Sequence, residues 1–206
     1  MSCDEFLLNS LINGTIQFPV LRVYSWSEPT FSIGANQKID SEPLFLSSKM
    51  PVVKRLSGGM AVLHGMPDTE LTYSVVFYAE GSFKNAYYKI GDALLCLLEN
   101  YGVNASYGYS NDSSYSKDFN CFASKTNVDI VAGDTKIIGS AQYRKKGFIL
   151  QHGSIKLDLI SSMIDKRVDF IEASNALKLA FEVKLGIDFE DYYISDAFFS
   201  QQVVKI

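Results

Sequence analysis

Apolar positions along the chain fall into alternating and helical runs that mark out most of its elements. Phe6, Leu7, Leu8, Leu11 and Ile12 recur on a helical period behind Ser2 and Glu5, which have capping-box spacing, and Gly14 ends the run. Val20 to Trp26 and Thr30 to Ile33 read as short strands separated by a Glu28-Pro29 turn. Ser41, with Pro43 just inside, predicts a short helix. Val52 to Leu56 and Ala61 to His64 read as strand pieces on either side of Ser57-Gly58-Gly59. From Leu71 to Phe77 the pattern alternates, with Leu71, Tyr73, Val75 and Phe77 on one face. Lys84 to Tyr101 is the clearest helix: Tyr87, Ile90, Leu94, Leu97, Leu98 and Tyr101 form one stripe, Gly102 takes the C-cap position, and Cys96 points away from the stripe.

The composition then changes. Tyr107 to Asn120 is rich in Ser, Asn and Asp, and a loop of this length within a compact domain is more often functional than accidental. It delivers the chain to Cys121. Three strands are predicted after it, Val128 to Ala132, Lys136 to Tyr143 and Phe148 to Leu157, turned by Gly133-Asp134 and by Lys145-Lys146-Gly147. Glu172 to Leu185 is a second amphipathic helix stopped by Gly186, and Ser195 to Val203 reads as a helical tail. The expected class is α+β with mostly hairpin-connected strands, and residues 1–206 suit one domain.

Composition narrows the function classes. With 47% hydrophobic and 20% charged residues the chain can bury a core, which excludes wholesale disorder. Nineteen basic against 23 acidic side chains give a net charge of −4, which argues against nucleic-acid binding through bulk positive charge. Cys3, Cys96 and Cys121 are odd in number and lack C-x-x-C spacing, and His64 and His152 are the only histidines, so neither a disulfide framework nor a metal site is expected. The opening Met-Ser-Cys-Asp-Glu is not the start of a signal peptide, and no apolar run approaches a membrane span. A reduced, cytoplasmic protein without a membrane partner is expected.

Two segments carry candidate chemistry. In Lys54-Arg55-Leu56-Ser57-Gly58-Gly59-Met60-Ala61-Val62-Leu63-His64, the two glycines let the backbone approach a ligand and expose N–H donors, and the Lys-Arg pair favours an anionic or strongly polar group. A plain turn between two strands explains the same residues equally well. In Gly133-Asp134-Thr135-Lys136-Ile137-Ile138-Gly139-Ser140-Ala141-Gln142-Tyr143-Arg144, the small residues Gly139, Ser140 and Ala141 mark a close approach by ligand or backbone. Lys136 there either points into a site, where partial burial would lower its pKa and suit it to proton transfer or carbonyl polarisation, or lies in solvent.

These segments, together with Arg22-Val23-Tyr24-Ser25-Trp26, Ser32-Ile33-Gly34-Ala35-Asn36-Gln37, Glu70-Leu71-Thr72-Tyr73-Ser74 and Leu150-Gln151-His152-Gly153-Ser154-Ile155, occur in an order that resembles the lipoate/biotin protein ligase A/B family. Within it the chain is most similar to the cysteine-dependent octanoyltransferases related to lipoate ligase A. The resemblance implies a central mixed, largely antiparallel sheet flanked by helices, with an acyl chain in a narrow tunnel. It implies that Lys136 contacts the acyl carbonyl and that Ser57, Gly58 and Gly59 form the acyl-binding loop, with Arg55 and His64 on the same segment. Gly139, Ser140 and Ala141 would line the pocket, and His152, Gly153 and Ser154 would face it.

Cys121-Phe122-Ala123-Ser124 resembles the cysteine segment of those transferases. The implied reaction takes an octanoyl group from acyl carrier protein onto Cys121 as a thioester, then onto a lysine of a lipoyl domain or glycine-cleavage H protein. Exchange between two thioesters is nearly isoenergetic, whereas amide formation is strongly downhill. The step needs a thiolate, which nearby Lys136 would favour; without that role Cys121 is a small buried hydrophobe. Acyl carrier proteins are acidic, so Lys54, Arg144, Lys145 and Lys146, and with them Arg55, are candidate docking residues, or else a solvated hairpin tip.

Departures from the family pattern keep two alternatives open. Lys54 stands where Arg is usual, Gly65 follows His64 where Asp is common, and Met60 replaces Gly or Arg. Ser57 leans toward ligases; Leu71-Thr72-Tyr73-Ser74 and Leu150-Gln151-His152 lean toward transferases, and no accessory C-terminal domain is expected in 206 residues. The alternatives are a lipoate–protein ligase using ATP and Mg²⁺, and a catalytically silent binder of lipoyl domains or an acyl carrier. The transferase would need no cofactor.

Overall fold

The computed structural model describes residues 1–39, 47–79, 83–108 and 127–191. The expected helix at Ser41, most of the loop after Tyr107 with Cys121 in it, and the tail from Ser195 to Val203 lie outside the described residues.

Strand β5 (Glu70–Tyr78) organises the layers. Its odd positions Leu71, Tyr73 and Val75 are buried in the main apolar cluster, while Glu70, Thr72 and Ser74 are buried on the opposite face. Alternation with period two makes one strand serve both an apolar layer and a polar one. β5 pairs antiparallel with β1 (Val20–Tyr24) and with β9 (Phe148–Lys156), and the sheet continues through β8 (Thr135–Lys145) and β7 (Ile130–Ala132) to β6 (Ser106–Tyr107). A second sheet joins β2 (Thr30–Ile33) to β3 (Val52–Lys54) in parallel and to β4 (Val62–His64) antiparallel. The parallel pairing expected of a mixed sheet is thus confined to the small sheet, and the six-stranded one is antiparallel throughout.

On the apolar face lie α2 (Phe83–Asn100) and α4 (Phe170–Leu185), with α3 (Leu157–Ile164) following β9 directly. Ile90, Leu94, Leu97 and Leu98 of α2 meet Leu177, Ala180 and Phe181 of α4 in one cluster with the strand residues. Cys96, expected on the back of α2, is buried in this cluster. A second helix covers more of α2 than a single stripe reveals. Gly186 ends α4 in the left-handed region at φ +64°, and Asp169 caps its start by accepting from the Glu172 N–H at 2.8 Å.

Helix α1 (Ser2–Ile12) lies on the polar face, where Leu7, Leu8 and Leu11 pack on Val76 and Leu150. The expected Ser2–Glu5 capping box is not formed: Met1 takes the N-cap position without a side-chain bond. The acid that matters is Asp4, which shares the helix face of Leu7, Leu8 and Leu11 and is buried with them. The Lys146-Gly147 hairpin has positive φ at both residues, 52° and 82°, as a two-residue turn matched to strand twist requires.

Gly153 of β9 sits where neighbouring residues leave no room for a side chain. A Cβ there would lie 2.6 Å from the Gly139 carbonyl oxygen, 2.6 Å from the Tyr73 ring and 2.9 Å from Ser140 Oγ. We expect Gly153→Ala to lower unfolding free energy by about 1–3 kcal/mol through overpacking, read from the urea midpoint at unchanged slope.

Candidate active site

Register places the polar side chains in rows across the large sheet. Tyr24, Thr72, Ser154 and Gly139 form one row, and Arg22, Ser74, His152 and Ala141 the next. Facing them is the turn from Arg55 to Met60, between β3 and β4. Its shape comes from Arg55, whose buried guanidinium donates from Nη1 to the Ser32 carbonyl at 2.8 Å and from Nη2 to the Gly58 and Met60 carbonyls at 3.0 and 2.7 Å. One planar cation thereby ties two carbonyls of the turn to a carbonyl of β2. The Ser57 carbonyl accepts from the Ala35 N–H at 2.9 Å, and Gly34 leaves no room for a Cβ beside the Gly59 carbonyl. The expectation that Arg55 helps to dock an acidic protein is therefore corrected: its charge is turned inward on the loop.

Between the turn and the sheet lies a cavity of about 400 Å³, within the range of small-ligand sites. Its wall includes Arg55, Gly58, Gly59, His64, Lys136, Gly139, Ser140, Ala141, His152, Gly153 and Ser154, so residues far apart in the sequence converge on one space. Ser57 is buried behind it, with Oγ 2.6 Å from His152 Nε2. Tyr24, Thr72 and Tyr87 complete one side. The buried Ser154 Oγ and Gln142 Oε1 have no hydrogen-bond partner among the described residues and belong to the wall, so they are available to a bound group.

Lys136 is buried and its Nζ lies 2.9 Å from Asp129 Oδ2. The motif that singles out the lysine does not include the acid. The available signal is an aspartate alone in the apolar run Val128 to Ala132, one hairpin away. Burying an ammonium requires a counter-charge, and Asp129 supplies it while also lining the cavity. Lys136 additionally borders a second hollow of about 480 Å³ with Thr69, Asp134, Lys156 and Asp158.

Two further carboxylates stand behind the wall. Glu70 accepts from His64 Nδ1 at 2.5 Å and from Lys156 Nζ at 2.5 Å, and Ser32 Oγ lies 2.7 Å from His64 Nε2. Trp26 stacks on the His64 ring at 4.4 Å. Burial lowers the His64 pKa against the pull of Glu70, so the ring is neutral, donates Nδ1–H to Glu70 and accepts from Ser32. Asp4 Oδ1 accepts from Arg22 at 3.0 Å and from Ser74 Oγ at 2.8 Å, while Oδ2 lies 3.5 Å from His152 Nδ1. Burial alone would raise both carboxyls. Hydrogen bonds from the histidines and the nearby cations outweigh it and hold each pKa at about 2. Of the proposed docking residues, Lys54, Lys145 and Lys146 are exposed and Arg144 is half-buried.

Residues 1–178 match the lipoyl protein ligase A/B catalytic domain. The chain belongs to that family. Family relatives include an octanoyltransferase LipM of Oceanobacillus iheyensis, 36% identical over 80% of this chain and 61% of that protein. Another, from Halalkalibacterium halodurans, is 32% identical over 96% of this chain and 86% of its own length. The chain thus spans about three fifths of the first relative's length. A crystal structure of lipoate-protein ligase A bound with ATP covers all of this chain and 90% of its own, at a TM-score of 0.73 and 24% identity, and shows the same fold. Among the described residues no helix is long and apolar enough to cross a membrane.

The two low carboxyl pKa values have a consequence for acid stability. Each group lies below its ordinary value, 4.5 for Glu70 and 3.8 for Asp4, so the stability it contributes is complete above those values and is lost as pH falls toward about 2. At about 1.4 kcal/mol per pH unit this amounts to roughly 2–4 kcal/mol for each, the larger share at Glu70. Urea unfolding followed from about pH 5 to about pH 2 should show a steeper loss in wild type than in Glu70→Gln.

Proposed function

We propose that this protein is an octanoyltransferase of lipoate assembly, acting in the cytoplasm. It takes the octanoyl group of acyl carrier protein onto Cys121 as a thioester and passes it to a lysine of a lipoyl domain or glycine-cleavage H protein. The observation that carries this reading is the convergence of the glycine turn, Lys136 with its Asp129 counter-charge, and the His152 strand on one cavity of about 400 Å³, in a chain whose relatives are named octanoyltransferases.

Each part has a task in that reaction. The Lys136 amine in its ion pair is a donor suited to the thioester carbonyl oxygen, where negative charge grows as the thiolate and then the lysine amine attack. Backbone N–H groups of Ser57, Gly58 and Gly59 add donors on the turn side, with Arg55 holding that turn in shape. Gly139, Ser140 and Ala141 keep the strand side shallow enough for an acyl chain. Cys121 lies outside the described residues, and its role rests on the sequence segment that carries it. The thioester already holds the acyl group activated, so no ATP, metal or other cofactor is required. Lys54, Lys145 and Lys146, with half-buried Arg144 beside them in sequence, offer positive charge to the acidic carrier.

Intact-mass spectrometry after mixing with octanoyl acyl carrier protein, without ATP, tests the reading. Wild type should gain one octanoyl unit that hydroxylamine removes, and Cys121→Ala should gain none. An adduct on neither protein, followed by lipoylation that requires ATP and survives Cys121→Ala, would replace the transferase with a ligase. Charge reversal at Lys145 and Lys146 should raise the KM for the carrier substrate several-fold with kcat unchanged; an unmoved KM would remove this docking surface.

A further inference from the structure

The hydrogen bond between Ser57 Oγ and His152 Nε2, at 2.6 Å, can run in either direction, and the groups behind the imidazole decide which. His152 Nδ1 faces Asp4 Oδ2 at 3.5 Å. Asp4 is buried and ionised, and a carboxylate can only accept. We infer that Asp4 of α1 is a positioning residue that holds the His152 proton on Nδ1, leaving the Nε2 lone pair to receive the Ser57 hydroxyl at the base of the glycine turn.

Asp4 is itself held in one orientation. Arg22 Nη1 and Ser74 Oγ both donate to Oδ1, at 3.0 and 2.8 Å, so Oδ2 is the oxygen left for the imidazole. That arrangement makes an isosteric change informative. In Asp4→Asn the two donors keep the amide oxygen, and the NH₂ group is turned onto Nδ1. The ring then takes the opposite tautomer, protonated on Nε2, and donates to Ser57 instead of accepting from it.

The consequence for catalysis rests on the transfer proposed above. When the acceptor lysine amine attacks the octanoyl thioester, its C–N bond forms, the C–S bond breaks with the thiolate leaving, and one N–H proton must be taken up. His152 lines the cavity, so its Nε2 can receive that proton once the Ser57 hydroxyl swings off it, and the Asp4 carboxylate balances the imidazolium. A ring already protonated on Nε2 cannot accept it. Asp129 and Lys136 serve the carbonyl oxygen and stand outside this relay.

Ring ¹⁵N spectra of histidine-labelled protein test the inference, since the chain has two histidines and His152→Gln identifies the signals. Wild type should show His152 protonated on Nδ1 and bare on Nε2, and Asp4→Asn should show the reverse. Octanoyl transfer by Asp4→Asn should fall on the order of 100-fold in kcat with KM unchanged. A wild-type His152 protonated on Nε2, or the same tautomer in both proteins, would overturn the positioning role, and the wild-type spectrum decides this even if the variant does not fold. A reversed tautomer with wild-type kcat would remove the relay. Absence of any octanoyl transfer by wild type would sink the transferase reading, and the spectra alone would then decide the role of Asp4.

Discussion

An ionised carboxylate taken out of water must be met by donors, and three of them, Asp4, Glu70 and Asp129, lie buried around the cavity of this protein. Several of their partners come from distant parts of the chain, as Ser74 and His152 do for Asp4 and Lys156 does for Glu70. Asp4 draws in Arg22, Ser74 and His152; Glu70 draws in His64, Thr72 and Lys156; Asp129 draws in Lys136. Each set ties an element outside the large sheet, or the edge of that sheet, to its central strands. The polar interlayer is therefore a set of constraints on geometry as well as a place for chemistry.

The constraint explains how a short glycine turn can act as a rigid wall. Gly58 has open space where a side chain would be, and Gly59 adopts φ +94°, so the backbone there has little steric guidance of its own. Arg55 replaces that guidance by bonding to carbonyls on both sides of the turn and to the neighbouring strand. A cation with five donors in a fixed plane can do this; an ammonium on a flexible stem could not hold the same angles. The result is a backbone wall at Gly58 and Gly59 set against a strand wall of small side chains.

The same economy governs the two sides of β5. Leu71, Tyr73 and Val75 bury apolar surface beneath α2 and α4, which supplies the driving force for the fold. The residues between them satisfy the polar interlayer. Even Tyr73, within the apolar layer, keeps its hydroxyl paired with Ser140 at 2.7 Å and Gln151 at 3.1 Å, and burial pushes its pKa up to about 12. The polar wall of the cavity and the apolar core are thus separated by the pleat of one strand, so the cavity side can carry charge without opening the core.

The chain's periodicities are enough to place α1, most strands, α2 and α4 to within a few residues, because burial on one face imposes a period of two or about 3.6 on any sequence. The ordered motifs also single out Ser57, Gly58, Gly59, Lys136 and the His152 segment. Helix α3 begins where the alternation predicts the end of a strand, since Leu157 continues the apolar pattern of β9 before the chain turns. Neither Asp129 nor Asp4 stands out in the sequence as a site residue, although Asp4 shares the period of Leu7, Leu8 and Leu11. A pattern of burial tells that a residue faces inward, and a local motif tells that a backbone bends. Neither tells which buried charge meets which, because ion pairs and hydrogen bonds act over a few ångströms between residues up to 148 positions apart, as Asp4 and His152 are here. Only the packing of α1 and the small sheet onto the large one decided those pairings, and with them which way Arg55 turns its charge.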